Sequence, residues 1–250
     1  MSQPVIVFPF HDTDGLMGSH VEAITPQLKD LFAQAFVSIP PATQHARGEY
    51  IGWMQRDSFF RLNFNRPNTL PGDHFLAGYA NAAASCSPEQ VLHLCTIDRV
   101  AFALQTDHRA QFIADIKTAG HDGIPVLFQR SQLAWGTHPP NYHQIERLAT
   151  QAGEILLGKR FDFVWCHLAI RAQQLKDILP GVARHDLGIL AEIVLLLNDV
   201  LRTEEVDWLS WEDPFILSCD PDELREDRQN SPGETGRRLT SVISVLHALL

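Results

Sequence analysis

Cysteine is scarce in this chain: Cys86, Cys95, Cys166 and Cys219 are the only four in 250 residues, and no two of them form a C-x-x-C pair. A chain of this length buries enough surface to do without disulfide staples. Long apolar runs are missing too. The most apolar stretch, 187–197, is interrupted by Glu192 and is too short to span a bilayer. The first residues, MSQPVIVFPF, lack the basic segment and long apolar core of a secretory signal. Positive charge is in deficit, with 20 Lys and Arg against 30 Asp and Glu, a net charge of −10. Such a surface repels phosphate backbones and anionic lipid, which argues against nucleic-acid or membrane partners. It leaves room for a small anionic ligand held by a few focused groups. With 45% hydrophobic and 20% charged residues the composition is that of a globular protein. The expectation is a cytoplasmic, single α/β domain over 1–250, with 216–250 a C-terminal helical extension.

Apolar and polar runs alternate along the chain. Val5–Phe10 is continuously apolar and stops at His11-Asp12-Thr13-Asp14-Gly15, the pattern of a strand buried on both faces. Val21, Ile24, Leu28, Leu31 and Phe32 then follow helical spacing over 19–34. Strands are expected at 35–39, 59–62, 90–96, 124–128, 161–166 and 206–211, with the fourth running on into Ile97-Asp98-Arg99. Helices are expected at 43–56, 74–86, 107–119, 141–157 and 186–202. Asp220-Pro221 and Ser231-Pro232-Gly233-Glu234 each place a capping side chain before a proline at the first helical position. Strands alternating with helices through short connections predict a doubly wound, mostly parallel sheet flanked by helices.

In such sheets ligands bind beyond the carboxyl ends of the strands. The residues there are His11 to Gly15, Pro40 to Thr43, Asp98-Arg99, Arg130-Ser131, Cys166-His167 and Glu212-Asp213. Carboxylates, imidazoles and two arginines suit a phosphorylated ligand with a divalent cation better than a hydrophobic one.

The order of these features resembles the nucleotide-diphospho-sugar glycosyltransferases of the GT-A fold. Gly78-Tyr79-Ala80-Asn81-Ala82-Ala83, followed by Val91-Leu92-His93-Leu94-Cys95-Thr96-Ile97-Asp98, has the order of that family's small-residue helix and its strand ending in D-x-D. Trp165–Leu175 resembles the acceptor-side strand and its following helix. The resemblance implies a nucleotide-diphosphate sugar and a small acceptor as partners, and Mg2+ or Mn2+ as cofactor. It places Pro9, His11, Asp12, Asn81, Thr96 and Arg99 around the nucleotide, Asp98 and His167 at the metal, and Asp186 at the chemistry; Glu212 and Asp213, expected to follow a strand at the ligand rim, are candidates for the same chemistry. Glu192 is a substitute for Asp186 as general base. The first acid of D-x-D is Thr96 here, which can hydrogen-bond a ribose but cannot ligate as an anion.

Other chemistries share these residues. Asp12-Thr13-Asp14-Gly15 after a buried strand resembles the nucleophile loop of haloacid-dehalogenase-type phosphatases, in which the first Asp attacks phosphorus. That family also needs a lysine, and Lys117 and Lys159 are poorly placed for it. The plainer reading of the loop is an Asx-turn and helix cap, above all for Asp14. A non-catalytic binding protein on the same fold is the third reading. The twelve histidines form no H-E-x-x-H and no close His-Cys set. Trp208-Leu209-Ser210-Trp211-Glu212-Asp213-Pro214-Phe215 sets aromatic faces beside acids, as sugar sites do, or is a core edge strand.

Overall fold

The computed structural model describes residues 2–164 and 167–250. Its first half is a run of βα units: β1 (Val5–Pro9), α1 (Leu16–Leu31), β2 (Ala35–Ile39), α2 (Pro41–Ala46), α3 (Gly48–Arg56), β3 (Phe60–Phe64), α4 (Pro71–Ser85) and β4 (Val91–Leu94). The centre continues with α5 (Ile97–Gln105), α6 (Arg109–Thr118), β5 (Val126–Arg130), α7 (Gln132–Thr137), α8 (Pro140–Leu157) and β6 (His167–Arg171). It closes with α9 (Ala172–Ile178), α10 (Ile189–Leu197), β7 (Arg202–Val206), α11 (Asp213–Leu217), α12 (Pro221–Asn230) and α13 (Pro232–Leu249).

The strands form one sheet in the order β3-β2-β1-β4-β6-β5-β7. Every neighbouring pair is parallel except those made by β6, which runs antiparallel to both β4 and β5. Val7 faces Phe36 on one side and Leu94 on the other, so β1 is central and its carboxyl end adjoins that of β4. Alternate residues of β1 feed two cores. Ile6 and Phe8 pack with Val21, Ile24 and Leu28 of α1 and with Val100 and Leu104 of α5. Val5 and Val7 pack with Tyr79 and Ala82 of α4 and with α10 and α13 residues. Burial on both faces explains why β1 is apolar throughout rather than alternating.

Several boundaries differ from the sequence reading. The fourth strand stops at Leu94, and Asp98 and Arg99 lie in the first turn of α5. The last strand is Arg202–Val206, four residues before the expected 206–211, and Trp208 lies in a 3-10 turn beyond it. The strand expected over 161–166 is instead His167–Arg171; Trp165 and Cys166 lie outside the described residues. Both predicted caps are in place: Asp220 accepts from the Asp222 and Glu223 amides, and Ser231 from that of Glu234.

Candidate functional site

The carboxyl ends of β1 and β4 open into a cleft of about 320 Å3 lined by Pro9, His11, Met17, Pro71, His74, Phe75, Thr96, Ile97 and Asp98. Four residues singled out from the sequence, Pro9, His11, Thr96 and Asp98, thus meet at one place. Asp98 is half-buried, and its Oδ1 accepts the Arg99 amide at 2.7 Å. Among the described residues its Oδ2 takes no hydrogen bond. One free carboxylate oxygen beside a cleft fits a hard divalent cation, which is often held by one or two carboxylates together with substrate phosphates. Among the described residues no group of three His, Cys, Asp or Glu side chains could hold a metal without such a ligand.

Pro71, His74, Phe75 and Met17 are cleft residues that the sequence reading gave no role. The sequence signal for three of them is the Pro71-Gly72 pair, which marks where a helix can begin. Proline suits the first helical turn, and the Leu70 amide donates to Asp73 Oδ2 at 2.8 Å, so α4 starts at the cleft rim with His74 closing its first turn and Phe75 opening the second. Burial, aided by nearby His11, pushes the His74 imidazole below its ordinary range.

Asp12 does something other than touch the cleft. Its carboxylate is buried and accepts amides from Gly15 (2.9 Å), Met17 (3.2 Å) and Gly18 (2.8 Å), while its own amide donates to Thr43 Oγ1. Gly15, at φ 86°, lets the chain turn tightly enough for this. The capping task expected mainly of Asp14 belongs chiefly to Asp12; Asp14 adds one bond to the Leu16 amide. A carboxylate so fully engaged is a poor phosphorus nucleophile, and the phosphatase reading is not favoured.

Arg99 turns inward. Its guanidinium is fully buried, lies 2.6 Å from Glu212 Oε2, and donates to the carbonyls of Leu209 and Ser210. It ties the first turn of α5, and with it Asp98, to the segment after β7. Burial pushes the Glu212 carboxyl up to about 8, against the pull of Arg99. Glu212 is therefore beneath the cleft wall rather than on it. Asp213, in the first turn of α11, faces Arg228 at 3.9 Å.

His167 begins β6 rather than ending a strand, but because β6 is antiparallel it still lies at the carboxyl rim of β4. Its Nε2 lies 3.5 Å from the Thr96 amide and 3.3 Å from Thr96 Oγ1. The ring is fully buried against His93 and Trp208, and burial holds its pKa well below the ordinary value. It supports Thr96 from behind and does not line the cleft. Asn81 is on the other side of α4, where it lines a separate groove with Arg61 and Phe64 and accepts from Ser85.

Asp186 pairs with Arg184 and accepts the Gly188 amide at 2.9 Å; the Arg184 hydrogen bonds hold its carboxyl at about 2. Those bonds brace the turn that leads into α10. Glu192 likewise accepts the Ala183 and Arg184 amides. The loop they brace packs on α4, since a Cβ at Gly72 would lie 2.3 Å from the Asp186 carbonyl oxygen.

Beyond Phe75 and Thr96 the cleft adjoins a smaller cavity of about 170 Å3, lined also by Phe163, Val164, Leu187, Leu190, Arg238, Ser241 and Val245. Trp211 and Phe215 lie elsewhere, in a surface groove with Phe102, His108 and Arg225.

The strand order with its antiparallel β6, and the cleft where β1 and β4 end, are those of the GT-A fold. Among solved structures the chain is similar to glucosyl-3-phosphoglycerate synthase from Mycobacterium tuberculosis in complex with Mn2+, UDP-glucose and phosphoglyceric acid. There it shows a TM-score of 0.58 and 14% identity over 99% of this chain and 80% of that one. The same enzyme with Mn2+, UDP-glucose and glycerol 3-phosphate aligns at 0.54 with 14% identity, over 99% and 80%. A further mycobacterial protein aligns at 0.54 with 14% identity, over 99% and 75%. Likeness at this level of identity carries the fold. No protein-family model matches the chain, and no curated protein matches it by sequence.

Proposed function

We propose that the protein is a glycosyltransferase that takes a nucleotide-diphosphate sugar in the β1/β4 cleft, with Mg2+ or Mn2+ held by Asp98. One observation carries the reading: the end of β1 and the T-I-D segment after β4, far apart in sequence, line a single ligand-sized cleft with a free carboxylate oxygen at its wall. The solved relatives of this fold bind Mn2+ and UDP-glucose, which supports the choice of ligand and cation. The cation would neutralise charge on the departing diphosphate as a Lewis acid. Pro9 and His11 would border the nucleotide, Thr96 would hydrogen-bond it, and the buried Arg99–Glu212 pair would hold the α5 turn so that Asp98 keeps its position.

Thr96 in place of the first acid favours one further reading, a binding protein that retains the cleft without turnover. Melting temperature with a panel of nucleoside diphosphates, with and without Mn2+, tests the first reading. Ligand binding to the native state alone raises the melting temperature. A rise that needs both nucleotide and Mn2+ supports the transferase site, and no rise with any nucleotide contradicts it. Release of free nucleoside diphosphate from the sugar nucleotide then separates the enzyme from the binding protein.

A further inference from the structure

We propose that the cavity beside the donor cleft is the acceptor pocket and that it takes an uncharged alcohol with a ring-sized apolar body, not a phosphorylated acceptor. The inference rests on the transferase reading. Phe75 and Thr96 line both spaces, so a hydroxyl in the cavity would border the donor. The volume, about 170 Å3, is close to that of apolar protein cavities that take benzene, roughly 150 Å3. Phe163, Leu187, Leu190 and Val245 supply the apolar wall, and Thr96 and Ser241 are the hydroxyl residues on it. Ser241 Oγ donates to the Arg237 carbonyl at 3.2 Å, which leaves its oxygen to accept from an alcohol.

Among the described residues Arg238 is the one charged residue on the wall, and it is already matched. Its Nη1 lies 3.0 Å from Glu146 Oε1 and its guanidinium stacks 4.0 Å from the Tyr142 ring. Glu146 also meets Arg130 at 2.7 Å, and Arg130 meets Asp162 at 2.7 Å. Two arginines thus face two carboxylates, and the cluster has no net positive charge to offer. A phosphate entering here would be desolvated without a counter-charge, which is costly. In the transfer, the alcohol oxygen bonds to the sugar's anomeric carbon as the bond from that carbon to the diphosphate breaks. The electron pair leaves with the nucleoside diphosphate and the hydroxyl proton is released to solvent.

The test is saturation-transfer NMR on the full chain with benzyl alcohol as probe and 3-phosphoglycerate as competitor. It compares wild type with two cavity-filling variants, Val245→Phe and Ser241→Leu, each checked for an intact melting transition. UDP binding with Mn2+ is measured separately. Benzyl alcohol should bind wild type and weaken at least tenfold in every folded variant, and 3-phosphoglycerate should not displace it. Displacement by 3-phosphoglycerate, no benzyl alcohol binding, or binding indifferent to both fillings would overturn the proposal. Should UDP with Mn2+ fail to bind while benzyl alcohol binds and is lost on filling, the transferase reading falls and the cavity's selectivity stands.

Discussion

His93 and Glu212 are both buried, and burial moves their pKa values in opposite directions. His93 stands on β4 among Phe32, Phe112 and Phe128, with ring centroids 6.1, 6.2 and 5.9 Å away. Among the described residues neither of its nitrogens has a hydrogen-bond partner, and burial lowers its pKa to about 3. As pH falls from its ordinary 6.5 towards 3, the unfolded chain takes up a proton that the folded chain refuses, so stability is lost across that window. His93→Leu removes both the unpaired imidazole and this acid limb. We expect it to stabilise the fold by roughly 1–3 kcal/mol at pH 7. The gain over wild type should grow towards pH 4; urea titrations that differ by a constant across pH would contradict this. For Glu212 the folded value is raised to about 8 from its ordinary 4.5. Its stabilising contribution is full below pH 4.5 and is lost as pH rises towards 8. Measured the same way, wild type should lose stability relative to Glu212→Gln between those values, and parallel curves would show that Arg99 keeps the carboxylate ionised throughout.

At the scale of elements, the cleft depends on how closely α4 approaches the loop before α10. Gly72 sits against the backbone carbonyls of His185 and Asp186, and a methyl there would lie 2.3–2.4 Å from them. Backbone cannot move aside as a flexible side chain can, so Gly72→Ala should destabilise the fold by about 1–3 kcal/mol. The chemical-denaturation midpoint checks this, and an unshifted midpoint would mean that the loop yields freely. Elements with a strong period were legible in the sequence. The second strand falls at Ala35–Ile39 as read, and α8, read as 141–157, begins one residue earlier at Pro140. The others were obscured by physics that periodicity does not carry. β7, Arg-Thr-Glu-Glu-Val, is a charged edge strand, and its more apolar neighbour Trp208-Leu209 drew the reading past it into a 3-10 turn that packs in the core. The helix α5 was missed because Ile97 and Asp98 follow β4 after only two residues and read as its continuation. That error mattered for Arg99: on a strand end it would reach the ligand rim, whereas on a helix it turns beneath the rim to Glu212.

The whole molecule explains why four of the candidate residues gather at one cleft and the others do not. A parallel core strand aims its carboxyl end at the same edge as its neighbours, so Pro9, His11, Thr96 and Asp98 could be brought together by position alone. Asp12 and Asp186 precede helices and Glu192 lies in the first turn of α10, but their carboxylates are consumed by nearby backbone amides. A sequence shows that an acid stands at a boundary; which task it takes depends on amides brought close only in the fold. The chain's acidity does not oppose an anionic nucleotide, provided a cation at Asp98 screens the diphosphate. Isothermal calorimetry of UDP binding to wild type and to Asp98→Asn, each with and without Mn2+, tests that claim most directly. Wild type should bind at least tenfold more tightly with Mn2+, and Asp98→Asn should lose that enhancement while melting at the same temperature. An Asp98→Asn protein that keeps the full Mn2+ effect would contradict the assignment of the metal to this carboxylate.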